Sequence, residues 1–267
     1  MFKLFTSQRY AAQQRIVARL IKMRSILITG CNRGLGLGLV QHLTQLPNPP
    51  EKIFATCRDI NKAQKLKEIA EKSSNVCIIK ADLTNFKDYD RIVNEVSAQV
   101  GDAGLNVLFN NAAILLPSSK LDSVKAEDLT ENYLVNTVVP IMLTKAFLPL
   151  LRKAAAGKQG MSVDRAAVIN MTSLMGSIAD NGSGGSYPYR CSKAALNAAT
   201  KSMSVDLKED GILVACMHPG WVKTDMGGSN APMDIDSSVH NMVQTVMGLS
   251  EKDNGAFLRH DGTILPW

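Results

Sequence analysis

The chain has 267 residues, 45% apolar and 20% charged, enough to bury one large α/β core and too apolar for a disordered protein. Its net charge of +6 suggests a polyanion surface until it is located: Lys3, Arg9, Arg15, Arg19 and Lys22 supply five of those charges within residues 1–22, leaving the body nearly neutral and excluding a nucleic-acid footprint. Cys31, Cys57, Cys77, Cys191 and Cys216 show no CxxC spacing and form no ligand cluster with His218 or His240, so reduced thiols and no metal site are expected.

In chain order the basic stretch comes first. It lacks the unbroken apolar core of a secretory signal, and its acid-free, Gln- and Ser-containing character suits either a disordered tail or a mitochondrial targeting segment. Residues 1–23 are therefore set apart as a disordered extension, with a cytoplasmic location expected unless they direct the chain to mitochondria. No later stretch is expected to approach the ~20 apolar residues of a membrane span, so no membrane partner is predicted.

From residue 24 onward short β-rich runs alternate with longer helical patterns. The strands are SILIT, KIFATC, NVCIIKA, LNVLFN, AAVINMT, ILVACMH and a final GAFL. Between them stand LVQHLTQL, KAQKLKEIAEK, YDRIVNEVSAQV, ENYLVNTVVPIMLTKAFLPLL and SKAALNAATKSMSVDL, each of helical length. Strands that are continuously apolar belong to a parallel sheet covered on both faces. Residues 24–267 thus read as a single doubly wound, Rossmann-type α/β domain. Two loops look functional, DNGSGGS before Tyr187 and WVKTDMGGSNAPMD after the sixth strand.

Directly after the first strand comes TGCNRGLGLGL, with glycines at 30, 34 and 36 ahead of a helix. Glycine permits the tight turn and close approach to a pyrophosphate, whose charge the helix N-terminal amides favour. Further on, SYPYRCSKAAL holds two tyrosines and one lysine. Tyr189 and Lys193 are four apart and share a helix face, whereas Tyr187, six before the lysine, lies on another side. Pro188 suits the first turn of a helix and biases its predecessor against one, so Tyr189 is expected to open the helix and Tyr187 to precede it. An ammonium beside a phenol favours the phenolate, which is expected to lower the Tyr189 pKa toward working pH. On spacing alone the pair also fits an ordinary solvated helix face.

Taken in order, TGCNRGLG, ADL at 81–83, NNAA at 110–113, Asn136, Ser173, YRCSK at 189–193 and HPGWVKT at 218–224 resemble the short-chain dehydrogenase/reductase family, over residues 25 to about 265. The resemblance implies that Tyr189 protonates a carbonyl oxygen as hydride arrives, and that Lys193 assists it and holds the nicotinamide ribose. It implies that Ser173 hydrogen-bonds the substrate oxygen and that Asn136 helps hold a relay water. Cys191 and Ser192 are assigned to packing or the surface. On the cofactor side it implies Gly30, Asn32, Arg33, Gly34, Leu35 and Gly36 at the phosphates, Asp82 and Leu83 at the adenine, and Asn110 and Ala112 along the adenosine and ribose. Pro219 and Gly220 would wall the nicotinamide, Val222 would hold its carboxamide through the backbone, and Thr224 would bond a phosphate.

An acid ending the second strand would bond a ribose 2′-hydroxyl and repel a 2′-phosphate. Here that place holds Cys57 followed by Arg58, with Arg33 in the glycine turn, so two guanidiniums favour NADPH over NADH, and Asp59 argues the other way. Two departures from the family pattern stand out. Ala113 occupies the place of the usual glycine and would be penalised by a positive φ, and the interval from Ser173 to Tyr189 is longer than usual, DNGSGGS absorbing the difference. The expected function is an NADPH-dependent reductase of aldehydes and ketones. An alcohol or steroid dehydrogenase running oxidatively uses the same residues, and a non-catalytic NADP-binding sensor would not need the proton donor. The small-residue run AALNAAT after Tyr189 suggests a homodimer helix.

Overall fold

A computed structural model describes residues 23–117 and 120–267, so residues 1–22 of the expected extension lie outside the described residues. Met23, grouped above with the extension, is 5% exposed and packs in the core.

All seven expected strands form: β1 (Ser25–Ile28), β2 (Lys52–Cys57), β3 (Val76–Lys80), β4 (Val107–Asn110), β5 (Ala167–Met171), β6 (Leu213–His218) and β7 (Phe257–Arg259). They pair in parallel throughout, in the order β3-β2-β1-β4-β5-β6-β7. Side chains alternate across the sheet, so Ile26 and Ile28 enter one apolar layer and Leu27 the other. Helices α1 (Gly34–Thr44) and α2 (Gln64–Lys72) cover the first face, and α3 (Tyr89–Val100) covers the second. Successive strands run outward from β1 in both directions, which makes the carboxyl ends of β1 and β4 the switch point where an open sheet leaves a crevice.

The run around ENYLVNTVVPIML begins earlier than its apolar pattern. It comprises α4 (Ala126–Tyr133), a π turn (Leu134–Val138) and α5 (Val139–Ala155). As a continuous helix of 30 residues it corrects the expectation that nothing approaches a membrane span, since by length and composition it qualifies. Half of its apolar window is buried, with Leu143, Phe147, Leu150 and Leu151 packed in the core layer over Leu108 and Val168. The helix is apolar because its inner face covers a sheet.

The tyrosine helix α6 spans Tyr187–Asp206, so Tyr187 opens it rather than preceding it. The first turn of a helix needs no intrahelical N–H donors, which lets Pro188 sit there, and the chain enters through Gly184, Gly185 and Ser186, all at positive φ. A final helix, α7 (Ile235–Met247), follows the loop after β6, capped by Asp234 accepting from Ser237 N. It was not read from the sequence, where WVKTDMGGSNAPMD drew attention only as a loop.

Candidate active site

The glycine turn is shaped by contacts that a side chain would block. Gly30 and Gly34 have φ of +72 and +57. A Cβ on Gly36 would stand 2.2 Å from the Gly30 carbonyl oxygen, and one on Gly30 would meet the Ala112 Cα at 3.1 Å. The turn is thereby wedged against the segment after β4. Thr29 fixes the junction, its hydroxyl oxygen accepting from Asn111 N at 3.0 Å and Ala112 N at 2.8 Å, while Asn111 Nδ2 donates to the Thr29 carbonyl at 2.8 Å. Ala113 avoids the feared strain, because Ser186 is the one described non-glycine residue at positive φ.

Asn32, Arg33, Gly34 and Leu35 lead into α1. Its first turn has no acidic side chain, and Arg33 at the N-cap makes no side-chain cap, which leaves the leading amides open to an anion. The Arg33 guanidinium reaches across to Asp225 at 2.6 Å, both side chains largely exposed. The loop after β6 also touches the turn, since the Thr224 methyl stands 3.8 Å from where a Gly34 Cβ would be. A tight backbone cradle with uncapped amides fits a dinucleotide pyrophosphate.

At the end of β2, Cys57 is buried and Arg58 exposed, and Arg58 makes no ion pair among the described residues. Asp59, the residue that argued for NADH, accepts from Asn61 N at 3.0 Å and caps its own short turn. Asp82 accepts from the Thr84 hydroxyl at 2.7 Å and the Thr84 amide at 3.0 Å. Those bonds, with a smaller contribution from the Arg58 charge, hold its carboxyl below the usual range. Leu83 is buried, its carbonyl taken by the Tyr89 hydroxyl. The Asn110 side chain is engaged inside the sheet, donating to Asn170 Oδ1 at 2.8 Å and Thr144 Oγ1 at 3.4 Å, so of Asn110 and Ala112 only Ala112 stands against the glycine turn.

The structure brings Tyr189, Lys193 and Ser173 together at the carboxyl end of β5. Tyr189 and Lys193 are 8% and 1% exposed, with the ammonium 5.7 Å from the phenol ring centre. Lys193 Nζ donates to the Met171 carbonyl at 2.8 Å. Gly176 admits the helix, since a Cβ there would strike the Lys193 backbone at 2.8 Å. Ser173 caps the turn Leu174–Gly176, its hydroxyl accepting from Met175 N at 3.2 Å, and it also sits beside the Tyr189 phenol.

The charge state of this group corrects the sequence expectation. Burial pushes Tyr189 up to about 12, opposed by the Ser173 hydroxyl, and burial pulls Lys193 down to about 8, opposed by Cys216. Desolvation outweighs the lysine, whose ammonium is directed to a carbonyl rather than to the phenolic oxygen. At neutral pH the phenol keeps its proton.

Asn136, in the π turn, is fully buried. Its Oδ1 accepts from Ile114 N at 2.9 Å, and its Nδ2 donates to the Ile114 carbonyl at 2.9 Å and Ser192 Oγ at 3.1 Å. The side chain ties the segment after β4 to the tyrosine helix. Ser192, assigned above to packing, is 1% exposed and a partner of Asn136. Sequence reasoning missed this because its position follows from the π turn, which no residue pattern announces.

Pro219, Gly220, Val222 and Thr224 line the loop after β6. The Pro219 carbonyl is anchored by Ser238 Oγ at 2.7 Å, and Gly220, at φ +88, backs onto His260 and Met233. Val222 bridges to Met233, whose amide and carbonyl bond Trp221 O and Lys223 N, a bridge in which the Val222 N–H takes no part. Thr224 Oγ1 accepts from Gly227 N at 3.0 Å. His218, ending β6, is pulled down to about 4 by burial, with the nearby His260 and Arg259 adding to it.

The sequence profile for short chain dehydrogenases matches residues 24–234. Among solved structures, the carbonyl reductase Sniffer of D. melanogaster is 54% identical with a TM-score of 0.91, covering 91% of this chain and 99% of its own. The NADPH-bound carbonyl reductase from chicken fatty liver is 44% identical with a TM-score of 0.88, covering 92% of this chain and 100% of its own. An uncharacterized oxidoreductase of Schizosaccharomyces pombe is 31% identical over 258 residues, 90% of this chain and 96% of that protein.

Proposed function

The chain belongs to the short chain dehydrogenase family, and from that premise we propose that it is an NADPH-dependent carbonyl reductase acting on aldehydes or ketones. The observation that carries the reading is the group at the carboxyl edge of the sheet in which the buried Tyr189 and Lys193 stand with the half-buried Ser173, with a phenol that keeps its proton. Reduction needs a proton donor at the start of the reaction, and a Tyr189 phenol that keeps its proton can supply it.

NADPH, when bound, supplies the hydride. The uncapped amides of α1 with Asn32, Gly34, Leu35 and Thr224 would take the pyrophosphate, and Arg58, assisted by Arg33, the 2′-phosphate. Asp82, Leu83, Asn110 and Ala112 would border the adenosine, and Pro219, Gly220 and the Val222 N–H the nicotinamide, with Lys193 at its ribose. Ser173 and Tyr189 hold the carbonyl oxygen of the substrate by hydrogen bonds. Tyr189 gives its proton to that oxygen as negative charge gathers there. The Lys193 ammonium over the ring stabilises the phenolate left behind.

NADPH oxidation followed across a panel of quinones, aldehydes, diketones and steroids tests the reading. Turnover of at least one carbonyl class with NADPH, lost in Tyr189→Phe, supports it. Turnover only of alcohols with NADP⁺ would overturn the direction.

Two finer points belong to the same proposal. A homodimer through α6 is supported by an outward stripe of Cys191, Ala198 and Val205, seven residues apart and exposed, on which a second copy of the helix can pack. Sedimentation of the protein and of Ala198→Glu tests it, a monomer in both refuting the dimer. Cytoplasmic residence is supported by five free cysteines, as in a reducing compartment, and a reporter carried into mitochondria by residues 1–22 would refute it.

A further inference from the structure

Ser192 stands between Tyr189 and Lys193 in the chain but faces away from the reacting group, toward the π turn. Its hydroxyl does two jobs at once, accepting from Asn136 Nδ2 at 3.1 Å and donating to the Tyr189 carbonyl at 2.9 Å. Its own carbonyl accepts from Thr137 Oγ1 at 2.8 Å. Adjacent side chains of one π turn therefore grip the same residue of the tyrosine helix, one by its hydroxyl and one by its backbone. Ser192, Asn136 and Thr137 are all at most 1% exposed, so no water competes for these bonds. A π turn adds one residue to the helical repeat, and in this fold that brings both Asn136 and Thr137 to α6.

From this we propose that Ser192 is a positioning residue for the reaction: it fixes the rotation and height of the first turn of α6 against the π turn, and so sets where the Tyr189 phenol stands relative to Ser173. The proposal deepens the reductase reading and rests on it. The bond from Ser192 Oγ to the Tyr189 carbonyl links the hydroxyl directly to the backbone of the tyrosine. Asn136 has a fallback, because Asn132 Oδ1 lies 3.4 Å from its Nδ2, one turn back along its own helix. With Ser192 gone, the amide can turn to Asn132, and the π turn is released from α6 without leaving a buried donor bare. Ser192→Ala is therefore expected to fold.

The test compares Ser192→Ala, Ser192→Thr and Thr137→Val with the unaltered protein, using NADPH and one good carbonyl substrate. Ser192→Ala is expected to lower kcat about tenfold, since a small misplacement of a reacting group is costly, with NADPH affinity and substrate KM within about twofold. Ser192→Thr, which restores a hydroxyl, is expected to recover most of the lost kcat, whereas a purely structural role would move stability and leave kcat alone. Thr137→Val, nearly isosteric, is expected to show a smaller loss in kcat of the same character, and it supplies the answer should the added methyl of threonine unfold the chain. A lowered melting temperature with unchanged kcat in both Ser192→Ala and Thr137→Val would reduce Ser192 to packing and overturn the proposal. Full activity of Tyr189→Phe in the same assay would instead sink the reductase reading, so the two failures are distinguishable.

Discussion

Removing the Tyr189 hydroxyl is the sharpest perturbation of the proposed chemistry. Tyr189→Phe keeps the buried ring and deletes one oxygen, leaving Lys193 bonded to the Met171 carbonyl and the glycine turn untouched. With the phenol pushed up to about 12, nearly every molecule at pH 7 carries the proton to be donated, so the loss measures the whole worth of a positioned acid. That worth is ~10²–10⁴-fold in turnover, or ~2.7–5.4 kcal/mol of barrier. NADPH affinity, read by fluorescence titration, is expected to stay within a few-fold. Tyr187→Phe is the control: Tyr187 opens the same helix on a different face from Lys193, and its turnover is expected to change by no more than a few-fold. Near-normal turnover in Tyr189→Phe, or a larger loss in Tyr187→Phe, would refute the assignment.

Three further outcomes are expected. Arg58→Ala is expected to weaken NADPH binding by about tenfold to a hundredfold and leave NADH use nearly unchanged, as a charged hydrogen bond is worth ~1.5–3 kcal/mol; equal losses for both cofactors would contradict the 2′-phosphate assignment. Gly36→Ala drives a methyl into the Gly30 carbonyl oxygen, 2.2 Å away, and is expected to cost ~1–3 kcal/mol in urea unfolding and to weaken NADPH binding; an unaltered midpoint would show that the turn yields freely. His218, held near 4 in the folded protein, stays neutral there while the unfolded chain takes up a proton near 6.5, so its contribution is complete above about pH 6.5 and falls away as pH drops toward 4. About 2 kcal/mol is expected to be lost between pH 7 and 5, and urea midpoints of the unaltered protein and His218→Gln with the same pH slope would exclude His218 as the cause.

The strands were legible because a covered parallel sheet writes itself as apolar runs, and SILIT, KIFATC and ILVACMH all became strands in the expected places. The glycine turn was legible because its residues answer a local demand: Gly30, Gly34 and Gly36 stand where a positive φ or a carbonyl contact permits nothing larger. What escaped was whatever depended on two distant segments at once. The amphipathic helix α7 was hidden behind a loop rich in Gly, Pro and Asp, although Asp234 and Ser237 form an ordinary N-cap pair. Ser192 escaped because its partners are 55 and 56 positions away and reach it only through a π turn.

The tyrosine and lysine show most clearly where local reasoning stops. Spacing placed Tyr189 and Lys193 on one face, and from that the phenol was expected to lose proton affinity. Spacing fixes direction, however, and not the medium or the target of the ammonium. Inside the fold Lys193 spends a donor on Met171 O, which offsets part of the cost of burying its charge, and the phenol feels desolvation more than it feels the cation. A lysine pulled down to about 8 is itself close to losing its charge at physiological pH. The enzyme free of ligand governs kcat/KM, so that quantity for NADPH-dependent reduction is expected to fall as pH rises through about 8, where Lys193 becomes neutral and can no longer stabilise the phenolate. The Tyr189 phenol is then still protonated, so the limb belongs to the lysine. A kcat/KM profile flat to pH 10 would show that Lys193 keeps its charge in the pocket and that burial has been given too much weight.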